Sequence, residues 1–400
     1  MSFKRSVRNF WRKRGVGVKR CLVAFLFGLF HWWVYSSAIG ARVEPVLLDY
    51  WYQLRGAEEP PKEFVLISVD PATYQHLGIS NIEPFPRAVH TKLLERLKQY
   101  QVHRVLFDFI FSSKGKDEEV DKRFAEAIGS VRTVIGKYFQ LQRFNSLSGE
   151  AVKEIEYVEP LEIFSKKAEK VIWLNVVLEN GVLRKFILGL EPHKDRPALS
   201  ALVEDWMKDG AIYPKERDFI KFYGPPGTIR QVSYAKVLTD DSLEFAPFFK
   251  DKIVFVGLQV LASAGIAEKD SFITPASKRM MYGVEVLATK TANILHQDWT
   301  RRFSNDIEVG VLNVFAVLLM FLLSLNTPLY GLLISALAFI FWATTSYVGF
   351  LNGYFIPGVT LMVFLLPSML IASSLVYYLR MRRSHKGLES ALGVKIPLES

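Results

Sequence analysis

The chain has 400 residues, of which 50% are hydrophobic, and a formal net charge of +10. A wholly soluble protein is excluded, because four hydrophobic stretches have about the length of a membrane-spanning helix. These stretches are residues 21–40, 309–325, 329–349 and 355–379. The single cysteine, Cys21, borders the first stretch, so the mixed sequence of residues 42–306 has no disulfide and relies on its own core.

The positive charge is concentrated beside the hydrophobic stretches, in residues 4–20 and 380–386. Both clusters follow the positive-inside rule, so the charge indicates membrane topology and no nucleic-acid partner is expected. With four spans, both termini are predicted to be cytoplasmic and residues 42–306 to lie on the outer side of the membrane.

This topology predicts five segments in chain order. They are a basic cytoplasmic tail (1–20), a membrane anchor (21–40), an outer domain (42–303), three membrane helices (308–379) and a short cytoplasmic tail (380–400). The aromatic residues Trp32, Trp33 and Tyr35 favour an uncleaved anchor over a signal peptide. No Asp, Glu, Lys or Arg lies deep in a span, and His31 stands alone in the first one, which argues against a proton or ion pathway.

The outer domain is predicted to be organised around residues 64–111. Apolar strands at 64–70 and 105–111 flank a helix at 88–100, which is the pattern of a βαβ unit in a parallel sheet. Asp70 and Asp108 stand at or near the ends of these strands. Because ligands of such sheets bind beyond the carboxyl ends of the strands, both aspartates are expected at one rim.

The remaining pattern predicts an α/β domain with a mostly parallel or mixed sheet. Asn180-Gly181 supplies the positive φ angles of a tight hairpin turn between two strands. The expected elements are a loop at 71–86, a helix around 120–128, a strand at 131–139, irregular chain at 140–160, a hairpin at 171–188, a helix at 197–208, a strand at 219–223, a helix at 233–238, a strand at 253–257, a loop through Asp270 and a helix at 282–296.

A candidate ligand-binding pocket combines Asp70, Asp108 and Asp270 with Gly257 and Arg87. Carboxylates at strand ends bind a divalent cation or a cationic small molecule. The alternative is ordinary turn chemistry, in which Asp70 caps the following turn and Asp108 holds backbone N–H groups or pairs with Arg87. Both interpretations stay open at this point.

No motif predicts catalysis, a metal centre or a cofactor. Residues 224–227 (Gly-Pro-Pro-Gly) lack the lysine and hydroxyl of a phosphate-binding loop and are interpreted as a rigid turn. The histidines are scattered without zinc-ligand spacing. Ser263 lacks the first glycine of a nucleophile elbow. The chain is therefore not expected to be an enzyme.

Many short segments in order resemble the type-two CHASE domain, an extracellular sensory module of bacterial cyclases and kinases. The matching segments include Leu48-Asp49, Ser68-Val69-Asp70, Pro86-Arg87, Phe107-Asp108, Asp121, Tyr223-Gly224-Pro225, 233–238, 252–257, Asp270, Thr274-Pro275 and 283–286. The resemblance covers most of residues 42–303, and three following spans are also usual in the family. Leu287-Ala288 stands where the family often has His-Ala, so a role for that histidine is not expected here.

The resemblance implies a sensor or receptor subunit of a bacterial inner membrane, with a periplasmic or extracellular sensing domain. Family members commonly carry a cyclase or kinase domain after the last span, and residues 380–400 are too short for one. Signalling through a separate, unidentified protein partner is therefore expected, and a homodimer is an expectation for such a sensor. The alternative is a non-catalytic scaffold or assembly factor of a cell-envelope complex.

Overall fold

The computed structural model describes residues 2–80, 85–145, 151–188, 196–259, 270–325 and 327–392. The chain divides into two compact units. The helical unit comprises Met1–Trp51 and Arg302–Ser400, and the α/β unit comprises Tyr52–Arg301. The structure confirms a mixed α/β fold with a mixed sheet.

The helices, in chain order, are α1 (Ser2–Ser36), α2 (Ala38–Arg55), α3 (Pro71–Leu77), α4 (Arg87–Gln99), α5 (Glu118–Ser130), α6 (Glu162–Ser165), α7 (Tyr234–Leu238), α8 (Ala246–Phe249), α9 (Gly283–His296), α10 (Asn305–Leu325), α11 (Pro328–Leu351) and α12 (Leu366–Leu392). The strands are β1 (Phe64–Val69), β2 (Arg104–Phe107), β3 (Thr133–Asn145), β4 (Ala151–Val158), β5 (Lys170–Trp173), β6 (Val177–Glu179), β7 (Val182–Lys185), β8 (Gln231–Ser233), β9 (Ile253–Leu258), β10 (Ser271–Thr274), β11 (Ser277–Tyr282), β12 (Arg301–Arg302) and β13 (Tyr354–Phe355). A 3₁₀-helix covers Ala198–Leu202, and a π-helix covers Thr360–Leu365.

The main sheet of the α/β unit has seven strands, and β9 lies at its centre, between β1 and β2. Strand β8 follows β1, and β3 follows β2 with β5 on its far side. All of these described pairs are parallel, whereas β4 pairs antiparallel with the far half of β3. The predicted βαβ unit is therefore a crossover with one strand inserted between its two strands.

Helices cover both faces of this sheet. One face, which includes Val65, Ile67 and Val256, packs against residues of α4, α5 and α7 in a single hydrophobic core. Helix α9 packs against β9 and β1, and all its residues from Gly283 to Ile294 are buried. Strands buried on both faces read as continuous apolar runs, which is why β1 and β9 were predictable.

Two elements that were not predicted border the sheet. Residues 71–86, expected as a loop, contain α3, because Asp70 caps its first turn, Pro71 fits the N1 position and Gly78 ends it with a φ of 64°. Residues 140–160, expected to be irregular, contain the second half of β3 and β4, which pair over Tyr138–Asn145 and Ala151–Val158. This hairpin was missed because its strands mix apolar residues with polar and charged ones, such as Lys153, Glu154 and Glu156, so no continuous apolar run marks them in the sequence.

The 171–188 hairpin divides between two sheets. Strand β5 belongs to the main sheet, whereas β6 and β7 pair around Asn180 and Gly181, whose φ angles of 51° and 80° are those of the predicted tight turn. The chain leaves β5 where the Asn175 side chain replaces a strand neighbour, accepting from Phe139 N and donating to Phe139 O. Strands β6 and β7 continue into a four-stranded sheet with β10 and β11.

The helix predicted at 197–208 is wrong beyond its first turn, which is 3₁₀-helical over Ala198–Leu202. The buried guanidinium of Arg104 donates to the carbonyl oxygen of Leu202 and to Asp205. The Leu202 carbonyl therefore accepts from the arginine and not from a backbone N–H group of a longer α-helix. The strand predicted at 219–223 is reduced to isolated bridges of Phe219 with Lys185 and Thr300.

The helical unit contains three helices long and apolar enough to cross a membrane: Asn305–Leu325, Pro328–Leu351 and Thr360–His385. The predicted first span is interrupted, because α1 and α2 meet at Ser37 with a bend of 78°; this pair makes a fourth span only if its two parts count together. Four spans are therefore not confirmed.

A buried polar network connects the helices of this unit. His31 Nδ1 lies 2.9 Å from Asn313 Oδ1, and His31 Nε2 lies 3.3 Å from Thr360 Oγ1, so this histidine, alone in its own span, has neutral partners on other helices. The Glu44 carboxylate accepts from the backbone N–H groups of Gly358, Val359 and Thr360 at 2.7–3.0 Å. It also accepts from the Thr360 hydroxyl at 2.6 Å, so a residue of α2 caps the start of the last span.

Candidate functional site

The candidate site lies at the carboxyl end of the central parallel strands. Asp70 follows β1 and Asp108 follows β2, with β9 between them. Neighbouring strands lie about 4.8 Å apart, so two strand positions separate the aspartates by about 10 Å along the rim. The expectation that both residues stand at one rim is confirmed by this register.

The Asp70 carboxylate is engaged as a helix cap. It accepts from Thr73 N at 2.9 Å and from Thr73 Oγ1 at 2.6 Å, and Ser233 Oγ donates to it at 3.0 Å. These contacts tie α3 to the end of β8. They agree with the turn-chemistry interpretation of Asp70, and its ligand contact stays a prediction.

Asp108 and Asp270 come together beside Gly283, the first residue of α9. A Cβ placed on Gly283 would lie 2.3 Å from Asp270 Oδ1 and 3.3 Å from Asp108 Oδ2. Gly257 borders the same position, because a Cβ there would lie 3.2 Å from Asp108 Cβ and 2.6 Å from Val284 Cβ. Three of the five predicted site residues, Asp108, Gly257 and Asp270, are therefore neighbours.

Burial makes this pair unusual. Asp108 Oδ2 is buried and has no hydrogen-bond partner among the described residues. Burial raises the pKa of Asp108 well above its usual range, and the neighbouring Asp270 raises it further, while Lys290 opposes the shift. Burial also raises the pKa of Asp270 to about 7. The two carboxyl groups consequently hold at least part of a proton near neutral pH.

Lys290 supplies a compensating charge from the same helix. It lies two turns after Gly283 on α9, with a side chain that is almost completely buried. Burial lowers the pKa of Lys290 to about 8, and the negative charge of Asp108 acts in the opposite direction. Lys290 was not predicted from the sequence, although one lysine within an otherwise uncharged stretch after Glu285 was a usable signal.

Arg87 is not brought to Asp108. Its guanidinium donates to Asp121 Oδ1 at 2.5 Å and to the Ser113 carbonyl, and it lies 5.1 Å from the centre of the Phe164 ring. The alternative in which Arg87 pairs with Asp108 is therefore not what the structure shows. Arg87 instead holds the segment between β2 and α5.

Glu285 is a carboxylate near the site that was not predicted. It lies in the first turn of α9 and accepts from Gly227 N at 2.9 Å and Ile229 N at 3.2 Å. Gly227 has a φ of 90°, and Thr228 closes the turn through the Pro225 carbonyl, as expected for a rigid turn. Glu285 thus fixes the position of α9, and with it Gly283.

The chemistry available to this arrangement is the binding of positive charge. Among the described residues, no group of three or more His, Cys, Asp or Glu side chains is arranged to hold a metal ion. A cation at Asp108 and Asp270 would therefore contact two protein carboxylates. A metal ion would take its remaining ligands from water. Ser263 lies outside the described residues.

An α/β domain flanked in sequence by apolar helices is typical of a membrane protein with a separate folded domain. A family model for the CHASE2 domain matches residues 22–324. The chain belongs to the CHASE2 domain family, whose members are extracellular sensory domains. No curated protein and no solved structure matches the chain significantly.

Replacing Gly283 with alanine should destabilise the α/β unit, because the new methyl group has no room beside the Asp270 carboxylate. Overpacking of this kind costs about 1–3 kcal/mol, which chemical unfolding of the full-length protein in detergent would measure. Gly129→Ala, within α5, is the matched control, since its Cβ would lie 3.5 Å from the flexible side chain of Lys167. Equal stability of the two variants would contradict the crowded geometry.

Proposed function

We propose that this protein is a bacterial inner-membrane sensor whose α/β unit faces the periplasm and recognises a positively charged ligand at Asp108 and Asp270. The bound state passes through the helical unit to a separate protein partner. No chemical reaction is assigned to the chain. Membership of a sensory domain family and candidate membrane helices support this role.

One observation carries the choice of site. Asp108 Oδ2 is a buried carboxylate oxygen that has no hydrogen-bond partner in the described part of the chain, and it lies beside the same glycine as the Asp270 carboxylate. Leaving a buried polar atom unsatisfied costs about 1–3 kcal/mol, and such atoms are uncommon in folded proteins. A cation that contacts both carboxylates would remove this cost and the repulsion between the two charges.

Titration calorimetry of the full-length protein in detergent at pH 8 tests the proposal, with MgCl₂, CaCl₂ and spermidine as separate probes. At least one probe should bind the wild type, and Asp108→Asn should weaken that binding at least tenfold. Asp209→Asn, which removes an exposed carboxylate, should leave it unchanged. Equal binding to the wild type and Asp108→Asn, or binding of none of the probes, would count against this site.

The proposed partner is tested separately. Mild-detergent purification of the intact protein from its native membrane should recover a second protein in a fixed ratio. Asp108→Asn should change the amount recovered if ligand state controls the contact. Recovery of the chain alone would contradict the relay and would leave the ligand measurement unaffected.

A further inference from the structure

A cavity in the helical unit has the features of an anion site beside an apolar surface. It measures about 400 Å³ and lies among residues of α1, α10 and α12. Three arginines line it: Arg20, Arg380 and Arg383. Its apolar walls include Val23 and Val376, each of which lies on the membrane-interior side of an arginine along its helix. The cavity therefore changes from charged to apolar along the helices.

The positive charge of this cavity has no counterpart in its walls. The described residues that line it include no aspartate or glutamate. Its two serines, Ser324 and Ser373, donate their hydroxyl protons to carbonyl groups of their own helices, at 2.7 and 2.9 Å. Three arginines thus line one cavity in which the described lining residues supply no anion.

Arg20 gives independent support for a ligand. Its Nε atom is buried and has no hydrogen-bond partner among the described residues. A buried guanidinium donor without an acceptor is costly, whereas a phosphate accepts from guanidinium groups in a bidentate geometry. An acceptor from outside the chain would satisfy this donor.

We propose that this cavity binds an anionic phospholipid, with the phosphate among Arg20, Arg380 and Arg383 and an acyl chain along the apolar wall. The volume lies within the range of small-molecule sites. Basic pockets between membrane helices on the cytoplasmic side are suited to anionic head groups. A freely soluble anion would satisfy the arginines but would leave the apolar wall without a contact, so a lipid fits both parts of the cavity.

Native mass spectrometry of the full-length protein tests this site. The delipidated protein in detergent is mixed with equal amounts of dioleoyl-phosphatidylglycerol and dioleoyl-phosphatidylcholine, and bound lipids are counted. The wild type should retain phosphatidylglycerol preferentially. Arg20→Gln should reduce the phosphatidylglycerol occupancy about fivefold, because each basic residue near an anionic lipid increases the affinity about fivefold.

Arg382→Gln is the matched control, because Arg382 is exposed and does not line the cavity. It should bind phosphatidylglycerol like the wild type. Excess inorganic phosphate should leave the bound lipid in place. Equal retention of the two lipids, displacement by phosphate, or the same loss in Arg382→Gln as in Arg20→Gln would overturn the proposal.

If Arg20→Gln does not purify as a folded protein, Arg383→Gln gives the same test from an exposed position. Unchanged phosphatidylglycerol retention in that variant would equally overturn the proposal. The lipid site is independent of the ligand proposed for the α/β unit. Failure of one measurement therefore leaves the other standing.

Discussion

Glu44→Ala should destabilise the helical unit by about 3 kcal/mol or more, which makes it one of the most damaging single substitutions expected in the chain. The Glu44 carboxylate is buried and accepts four hydrogen bonds at the start of the last span. Its removal leaves three backbone N–H groups and one hydroxyl without their acceptor. Backbone N–H groups at the start of a membrane helix cannot take water as a replacement acceptor.

The loss is measured as the shift in the midpoint of unfolding when SDS is added to the protein in mild detergent. Asp306→Ala is the control, because Asp306 is an exposed carboxylate at the start of α10; its effect should stay within about 0.5 kcal/mol. Glu44→Gln keeps one acceptor oxygen and should fall between the two. If Glu44→Ala unfolded at the same SDS fraction as Asp306→Ala, the capping role would be wrong.

The stability of the α/β unit should fall as pH rises from about 4 to about 7, and Asp270→Asn should reduce that dependence to the part contributed by Asp108, whose pKa burial also raises. Burial raises the pKa of Asp270 to about 7 from its ordinary value of 3.8. Between these values the folded state holds a proton that the unfolded state has released. The contribution of Asp270 to the free energy of unfolding is therefore fully present below about pH 4, and it is lost as pH rises through the pKa of the folded state.

The contribution of Asp270 to this loss of stability has an upper bound of about 4 kcal/mol, since a pKa difference of 1 corresponds to about 1.4 kcal/mol. Urea unfolding of the full-length protein in detergent at several pH values between 4.5 and 7.5 measures it. Asp209→Asn should retain the wild-type slope because Asp209 is exposed. A slope in Asp270→Asn as steep as that of the wild type would show that other groups cause the dependence.

The elements that the sequence predicted best are those whose burial is dictated by their own residues. Strands β1 and β9 are continuous apolar runs, and α9 was placed to within one residue at each end. Helices α4 and α5 followed from apolar residues at helical spacing. In each case the local pattern and the tertiary environment agree.

Elements that depend on distant contacts were not predictable in the same way. The Leu202 carbonyl is bound by Arg104, which comes much earlier in the chain and ends the predicted 197–208 helix. Strand β4 contains polar residues, and it forms because β3 continues past its pairing with β2 and pairs there with β4. Glu44 lies outside the predicted first span, so no local pattern indicated that it caps the last one.

The candidate site was predictable only in part for the same reason. Carboxylates after β1 and β2 could be seen in the sequence, but the insertion of β9 between these strands could not. That insertion brings Gly257 next to Asp108 and positions α9, which contributes Gly283 and Lys290. Asp70 and Arg87, by contrast, are hydrogen-bonded to other protein groups, Asp70 to Thr73 and Ser233 and Arg87 to Asp121 and Ser113.

The most direct test of cation recognition by Asp108 and Asp270 is proton release during binding. Calorimetric titration at pH 7, with the probe that binds at pH 8, is repeated in two buffers of different ionisation enthalpy. The wild type should release part of a proton as the cation enters, because Asp270 is partly protonated at this pH, and Asp270→Asn should release less. The same apparent enthalpy in both buffers for the wild type would contradict binding at this carboxylate pair.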